Sequence, residues 1–331
     1  MKQMVKLNDG QVRAICRKLG EDFVGFSFLE SGYHTDTFLL KTKGNKYILK
    51  VEQKRVTYKV LKGEYEIIKS LKRGLGPKVI LFDSSHRIIP TDFIVEEFVE
   101  GEHPKLKATN EFIIAMAKWM KRLHSIKSSV AVGWRERSIK SSIEIRDFSL
   151  SSAIKKERND FNKYKYTLPG KLAAELEYLF DCAVALCRKN DILFNKYNNS
   201  YSLLHLDNGP GNILIKNNEI RGIDWEFSGY GVPEEDIVSF LSGYNYKMST
   251  RQKRLFLRTY GYQYSKEAEE RLKMIQLINI IGVIWDSVWQ LDHLIKKDSD
   301  AYLRQGRKKG YYLRILRGCE KHLKKFIYET L

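Results

Sequence analysis

Apolar positions along this chain change their period about a third of the way in. Between Asn8 and Gly20, Val12, Ile15, Cys16 and Leu19 recur at helical spacing behind a possible Asn8–Gln11 capping box, which predicts a short amphipathic helix. From Phe26 the pattern turns to β. The stretch SFLESGYHTDTFLLKTKGNKYILKVEQ holds two strand-forming runs around a Gly-Asn turn near Lys43 to Lys46, hence a hairpin preceded by a glycine-bearing loop. In its second strand Tyr47, Leu49 and Val51 share one face and Ile48 and Lys50 the other, so Lys50 projects from an otherwise well-packed strand.

Helical spacing returns with Tyr65, Ile68 and Leu71 and breaks at Gly74, Gly76 and Pro77. A further strand is expected from Phe93 to Val99, closed by Gly101. Beyond it long helical patterns dominate, beginning with Phe112, Met116, Trp119, Met120 and Leu123 on one face. We therefore expect a β-rich first lobe over 1–97 and a mainly helical second lobe over 98–331, joined by the glycine- and proline-containing connection. Residues 134–160 are polar and weakly periodic, and read as a loop or a substrate-covering insertion. Leu277 to Trp285, interrupted by Asn279 and stopped by Asp286, is far short of the about 20 residues that cross a bilayer and reads as a buried helix. The sequence shows no fixed-period repeat.

Composition narrows the picture. The 331 residues are 43% apolar, enough for a real core, and Lys plus Arg exceed Asp plus Glu by 58 − 40 = 18. That excess would draw polyanions or phosphate-bearing ligands, but a solvated basic surface is the simpler reading and no groove-reading motif accompanies it, so no nucleic-acid partner is expected. Cys16, Cys182, Cys187 and Cys319 lack the CxxC spacing of zinc or redox sites, and the opening MKQMVKLNDG has no apolar run for export. A reduced, cytoplasmic protein without a membrane span is the expectation.

The most informative stretch is SLLHLDNGPGNILIKNNEIRGIDWEFSGYG. An apolar strand leads into a polar loop, and the short β runs ILI and RGID follow. Asp207 and Asn212 lie five residues apart across a Gly-Pro-Gly loop, and Asp224 ends the second run. Phosphoryl transfer needs a carboxylate to orient the attacking hydroxyl and oxygen ligands to hold magnesium on nucleotide phosphates. Asp207 suits the first role, Asn212 and Asp224 the second. His205 reads as a hydrogen-bonded brace of the loop, because Asp207 already fills the base role.

HLDNGPGN at 205–212, followed by IDWE at 223–226, resembles the HxDxxxxN and metal motifs of the aminoglycoside phosphotransferase and choline kinase superfamily, relatives of protein kinases. The resemblance spans roughly Phe28 to Tyr244 and implies an α+β, bilobal protein-kinase-like fold, with a small antiparallel-sheet N-terminal lobe and a larger helical C-terminal lobe. It matches Lys50 to the ATP-anchoring lysine, and Glu64, or else Glu66, to the glutamate that holds it. It places the backbone of Glu97 and Val99 at the adenine, RLHS at 122–125 at a leucine-histidine landmark, and Asp236 as a support of the catalytic loop. Ser31, Gly32 and Thr35 fall in the phosphate loop. Two departures stand out: Leu206 occupies a position where the family commonly has glycine, and ESGYHTDTF supplies only Gly32, with Asp36 set to repel phosphates if it points inward.

What the resemblance implies is an ATP- and magnesium-dependent transfer of phosphate to the hydroxyl of a small molecule. An aminoglycoside-like antibiotic stands first, then choline, ethanolamine or another metabolite; a nucleotide-binding pseudokinase acting as an interaction module is the rival. Trp225, Trp285 and Trp289 read either as a cage for a quaternary ammonium or as core. Glu226, Glu234, Glu235, Asp286 and Asp292 read either as an amine-binding lining or as solvated and capping groups. Near the carboxy terminus Tyr312, Leu316, Cys319, Leu323 and Phe326 mark one more helix with a basic exterior. The sequence carries no sign of an oligomeric state.

Overall fold

The computed structural model describes residues 5–32, 34–53, 60–129, 149–243, 245–296 and 309–330. The described chain forms two compact units, one of 3–146 with 199–262, the other of 147–198 with 263–331. The lobe boundary expected after residue 97 falls inside the first of these, at the end of a strand.

The first unit opens with α1 (Asp9–Leu19), whose Asn8–Gln11 capping box is formed and whose end is closed by Gly20 at φ 71°. A five-stranded antiparallel sheet follows, built from β1 (Phe23–Ser31), β2 (Thr35–Thr42), β3 (Lys46–Glu52), β4 (Val79–Asp83) and β5 (Phe93–Glu97) in the order β1-β2-β3-β5-β4. The expected hairpin is β2–β3; β1, on the far side of the glycine-bearing loop, and the short β4 join it. Period-two alternation separates the two faces of β3. Leu49 and Val51 pack with Phe38, Leu40, Phe93 and Val95 against Val12, Ile15 and Cys16 of α1, with Tyr47 at the margin. Lys50 and Ile48 take the opposite face, where α2 (Val60–Ser70) supplies the buried Glu64.

After β5 the same unit becomes helical and loop-rich. α3 (Asn110–Leu123) starts at an N-cap Thr109 and buries Phe112, Met116, Trp119, Met120 and Leu123, the face its spacing predicted. Two small antiparallel sheets then carry the motif region. β10 (Gly229–Gly231), β7 (Tyr201–Leu204) and β6 (Lys127–Ser128) form one; β8 (Ile213–Lys216) and β9 (Glu219–Gly222) form the other. The next helices of this unit are α6 (Glu234–Leu241) and α7 (Thr250–Tyr260).

The second unit is helical. It contains α4 (Leu150–Tyr164), α5 (Gly170–Asn190), α8 (Lys266–Ile295) and α9 (Lys309–Thr330). Two expectations change here. The reading of 134–160 as a loop gives way, for its described part, to α4, which buries Leu150, Ile154 and Phe161; 134–148 lie outside the described residues. Leu277 to Trp285 does not stop at Asp286 but is the middle of the 30-residue α8, because Asp286 is exposed and so costs the helix nothing. An 18-residue window of α8 is long and apolar enough to cross a membrane by length and composition, and 56% of that window is buried inside the protein. In α9, Ile327 takes the fully buried place expected of Phe326. All four cysteines are free thiols.

Candidate functional site

The geometry starts at Lys50. Its strand face points it away from the α1 core, and at 6% exposure its ammonium must find anionic partners. Nζ donates to Glu64 Oε1 at 2.6 Å and to Asp224 Oδ1 at 3.0 Å, and lies 4.0 Å from Glu96 Oε1. Burial alone would lower the lysine's pKa, but Asp224, Glu64 and Glu96 together hold it well above its usual value. Glu64 sits in the apolar stripe of α2 with Leu61, Ile67 and Ile68, whereas Glu66 is exposed. The same Glu64 oxygen also accepts from the backbone N–H of Trp225 at 3.0 Å, which ties α2 to the residue after Asp224.

Asp224 follows β9 at φ 61°, and its side chain is 38% exposed. Burial would raise its pKa, but the Lys50 ammonium overrides that and keeps the carboxyl below the ordinary range. β9 ends in Gly222, where a Cβ would come within 2.8 Å of the Trp119 ring and 3.0 Å of the His205 ring. Close packing therefore requires glycine just before Asp224.

The loop after β7 carries Asp207 and Asn212. Asn212 Nδ2 donates to Asp207 Oδ2 at 2.8 Å and to the Asp207 carbonyl at 3.0 Å, which fixes the amide and turns its oxygen away from Asp207. Burial raises the pKa of Asp207; the nearby His205 opposes this and Asp224 adds to it. The buried carboxylate of Asp236, at the start of α6, accepts from the backbone N–H groups of His205 and Leu206, both at 2.8 Å, and from His124 Nε2 at 3.1 Å. Leu206 is held at φ 64°, a left-handed conformation. Leucine at a position where glycine is usual thus carries backbone strain that Asp236 holds in place. His205 Nε2 donates to the Ile223 carbonyl at 3.1 Å, and its ring packs on Trp225 and Trp119.

Where the glycine-bearing loop joins β1 to β2, Gly32 N–H donates to the Thr35 carbonyl at 2.8 Å. Asp36, set to repel phosphates if inward, is turned into the sheet: its carboxylate accepts from Val5 N–H at 2.8 Å, Ser31 Oγ at 2.5 Å and Gln53 Nε2 at 2.9 Å. Gln53 Nε2 also lies within reach of Ser31 Oγ, the Gly32 carbonyl and the Thr35 carbonyl, at 3.2, 3.4 and 3.2 Å. His34 Nδ1 meets Glu226 Oε2 at 3.2 Å, joining this loop to the segment after Asp224.

A cavity of about 500 Å³ collects these groups. Of the residues singled out in the sequence, Gly32, Thr35, Lys50, Glu97, Val99, Asn212 and Asp224 line it. Glu64 and Asp207 reach it through Lys50 and Asn212, and Ser31 spends its hydroxyl on Asp36. The backbone N–H of Glu97 is engaged by the Lys78 carbonyl at 2.8 Å, so only its carbonyl could serve a base. A larger groove of about 1020 Å³, lined by Lys43, Lys46, Lys78, Lys216 and Arg221 among others, contains none of Lys50, Asp207, Asn212 or Asp224. The residues that sequence reasoning passed over are Gln53 and Glu96. Nothing local marks Gln53, whereas Glu96 could have been found from its cross-strand phase with Ile48 and Lys50.

The other candidates separate. Trp225 is fully buried beside His205, with its indole N–H on the Gly222 carbonyl at 3.0 Å, and is core. Trp285 and Trp289 stack 6.5 Å apart on α8 in the other unit. Glu226 lines the cavity; Glu234 accepts from Tyr262 at 2.9 Å; Glu235 accepts from Val232 N–H at 3.1 Å. Asp286 is exposed, and the buried Asp292 pairs with Tyr166 and Lys296.

Residues 25–275 match the family described as the phosphotransferase enzyme family. The chain belongs to this family. No curated protein matches it by sequence. Among solved structures, the ADP-bound aminoglycoside phosphotransferase APH(2'')-Ib is similar at 17% identity and TM-score 0.65, covering 97% of this chain and 99% of that one. A thermostable mutant of aminoglycoside phosphotransferase APH(4)-Ia, in ternary complex with AMP-PNP and hygromycin B, is similar at 14% identity and TM-score 0.63, with 97% and 98% covered. Choline kinase from Cryptosporidium parvum Iowa II is similar at 16% identity and TM-score 0.62, with 96% and 95% covered. At these identities the likeness is one of fold, and this member of the phosphotransferase family has the protein-kinase-like architecture that its sequence resembled.

Proposed function

We propose that this family member is an ATP- and magnesium-dependent phosphotransferase that moves a γ-phosphate to a hydroxyl of a small molecule. The observation that carries the reading is the convergence of Lys50, Glu64 and Asp224 on one buried cluster, beside the Asp207–Asn212 pair and one cavity. In this reading Lys50, held by Glu64, binds the nucleotide phosphates, Gly32 and Thr35 lie along them, and the Glu97 carbonyl and Val99 N–H face the base. Asp207 accepts the proton of the acceptor hydroxyl. The hydroxyl oxygen bonds to the γ-phosphorus as the bond to the β–γ bridging oxygen breaks, and ADP leaves with that electron pair.

Asn212 Oδ1 and the Asp224 carboxylate are the residues that would hold magnesium. Among the described residues no group of three or more His, Cys, Asp and Glu side chains could hold a metal ion by itself. Two protein oxygens suit magnesium, which keeps several waters and completes its shell with substrate phosphates. When bound there, the ion would offset negative charge on the transferring phosphate.

For the acceptor, an aminoglycoside-like antibiotic comes first, supported by the structural likeness to APH(2'')-Ib and APH(4)-Ia, and choline or ethanolamine second, supported by the likeness to choline kinase. The complete Lys50–Glu64–Asp224 cluster weighs against a pseudokinase, and we place the enzyme in the cytoplasm. The test is an ATP-consumption screen over aminoglycosides, choline, ethanolamine, homoserine and sugars, with wild type and Asp207→Ala. We expect one acceptor class to drive ADP formation in the wild type, and the variant to lose at least about a thousandfold while folding normally. Substantial residual turnover in the variant would overturn the assignment.

A further inference from the structure

One buried acid of the cavity has no place in the chemistry described above. Glu96, on β5, is 3% exposed and shares the cavity face of the sheet with Ile48 and Lys50. Its cross-strand neighbours are apolar, Ile48 on β3 and Val79 on β4. The charged groups facing it are Lys50 on β3, Glu64 on α2 and Asp224 after β9. Lys50 satisfies Glu64 and Asp224 at hydrogen-bonding distance but stands 4.0 Å from Glu96 Oε1, and that oxygen has no hydrogen-bond partner. A buried acceptor left unpaired costs about 1–3 kcal/mol, so it is the kind of group a ligand completes.

Position says which part of a ligand. Glu96 immediately precedes Glu97, whose carbonyl is the backbone group left to a base, and Val99 lies three residues on; all three line the cavity. We propose that Glu96 selects the purine, its carboxyl hydrogen-bonding to the substituent at C6 of the base. This rests on the reading of the cavity as a nucleotide site and deepens it. Burial, opposed by Lys50 and assisted by Glu64 and Asp224, pushes the carboxyl up to about 8. Near neutral pH it therefore holds a proton and presents both an acceptor, for a 6-amino group, and a donor, for a 6-oxo group. The predicted consequence is that adenine and guanine nucleotides both fit, and that a purine bearing only hydrogen at C6 does not.

Equilibrium binding by calorimetry at pH 7, with ADP, GDP and purine riboside 5′-diphosphate, tests this on the full chain. The wild type should bind ADP and GDP within about tenfold of each other and the unsubstituted purine about tenfold or more weakly. Glu96→Gln, which keeps a donor and an acceptor, should preserve that order. Glu96→Leu, checked for folding by its melting transition, should bind all three within about threefold. Equal binding of ADP and the unsubstituted purine by the wild type, or an unchanged preference in Glu96→Leu, would overturn the role of Glu96 while leaving the nucleotide site intact. Failure of the wild type to bind any of the three would overturn the nucleotide reading itself and this inference with it.

Discussion

The amide of Asn212 donates to the Asp207 carboxylate at 2.8 Å, so the residue proposed to hold metal also orients the proposed base. Asn212→Ala removes both functions at once. We expect kcat to fall at least about a hundredfold and the magnesium concentration for half-maximal rate to rise, with the melting temperature nearly unchanged, because the loop stays anchored by Asp236. Magnesium titrations of wild type and variant check this.

The cluster around Lys50 makes a prediction about stability. Lys50→Met leaves Glu64 and Asp224 facing one another without a cation, and breaking such a buried pair costs about 3–5 kcal/mol. Adding Glu64→Gln should recover part of that loss. Denaturant midpoints in a double-mutant cycle measure the recovery; strictly additive losses would show that the pair is not coupled.

Leu206 is strained by its left-handed backbone. Leu206→Gly gains about 1–2 kcal/mol from relief of strain and gives most of it back in chain entropy, so stability should stay within about 1 kcal/mol of wild type. Leu206→Val should be destabilising by more than that, since a β-branched side chain tolerates this conformation least. Chemical unfolding of the two variants separates them.

Asp36 gives an opposite sign to two readings. A carboxylate aimed at phosphates would repel them, and Asp36→Asn would tighten nucleotide binding. Because Asp36 instead braces Val5, Ser31 and Gln53, we expect Asp36→Asn to bind ADP no better than wild type, and Asp36→Ala to lose roughly 2–3 kcal/mol of stability. Calorimetry and melting curves provide the two readouts.

Two acids outside the cavity, the buried Glu52 and the half-buried Glu235, set a pH dependence. Burial pushes Glu235 up to about 8, opposed by its bond from Val232 and assisted by Asp236 and Glu234; burial and then Asp92 push Glu52 up to about 7. Both are raised above their ordinary 4.5, so between these values the folded chain holds protons that the unfolded chain has released. Their stabilisation is complete at low pH and is lost as pH rises through about 7 to 8. The melting temperature should therefore fall from pH 6 to pH 9, and Glu235→Gln should fall less.

Much of this was legible in the sequence because it is local. The strand phase of β3 set Lys50 apart from Tyr47, Leu49 and Val51, and the spacing of Asp207, Asn212 and Asp224 held three polar groups on one short scaffold. Between Glu64 and Glu66 the motif did not choose; the fold does, since Glu64 continues the buried stripe of Leu61 and Ile68 and Glu66 leaves it. What stayed hidden depended on distant partners. Asp36 turns inward because Val5 and Gln53 wait for it, and nothing in ESGYHTDTF records that. The length of α8 was hidden by Asp286, a charge that breaks an apolar run in one dimension but points outward in three.

The Gln53 amide has two protons and four oxygens within reach. It cannot serve them all at once, so the contacts that hold the turn at Gly32 are traded among equivalents. Losing any single one of them leaves another to take the freed proton. The turn is thus secured by redundancy, with more acceptors around one amide than that amide has protons to give.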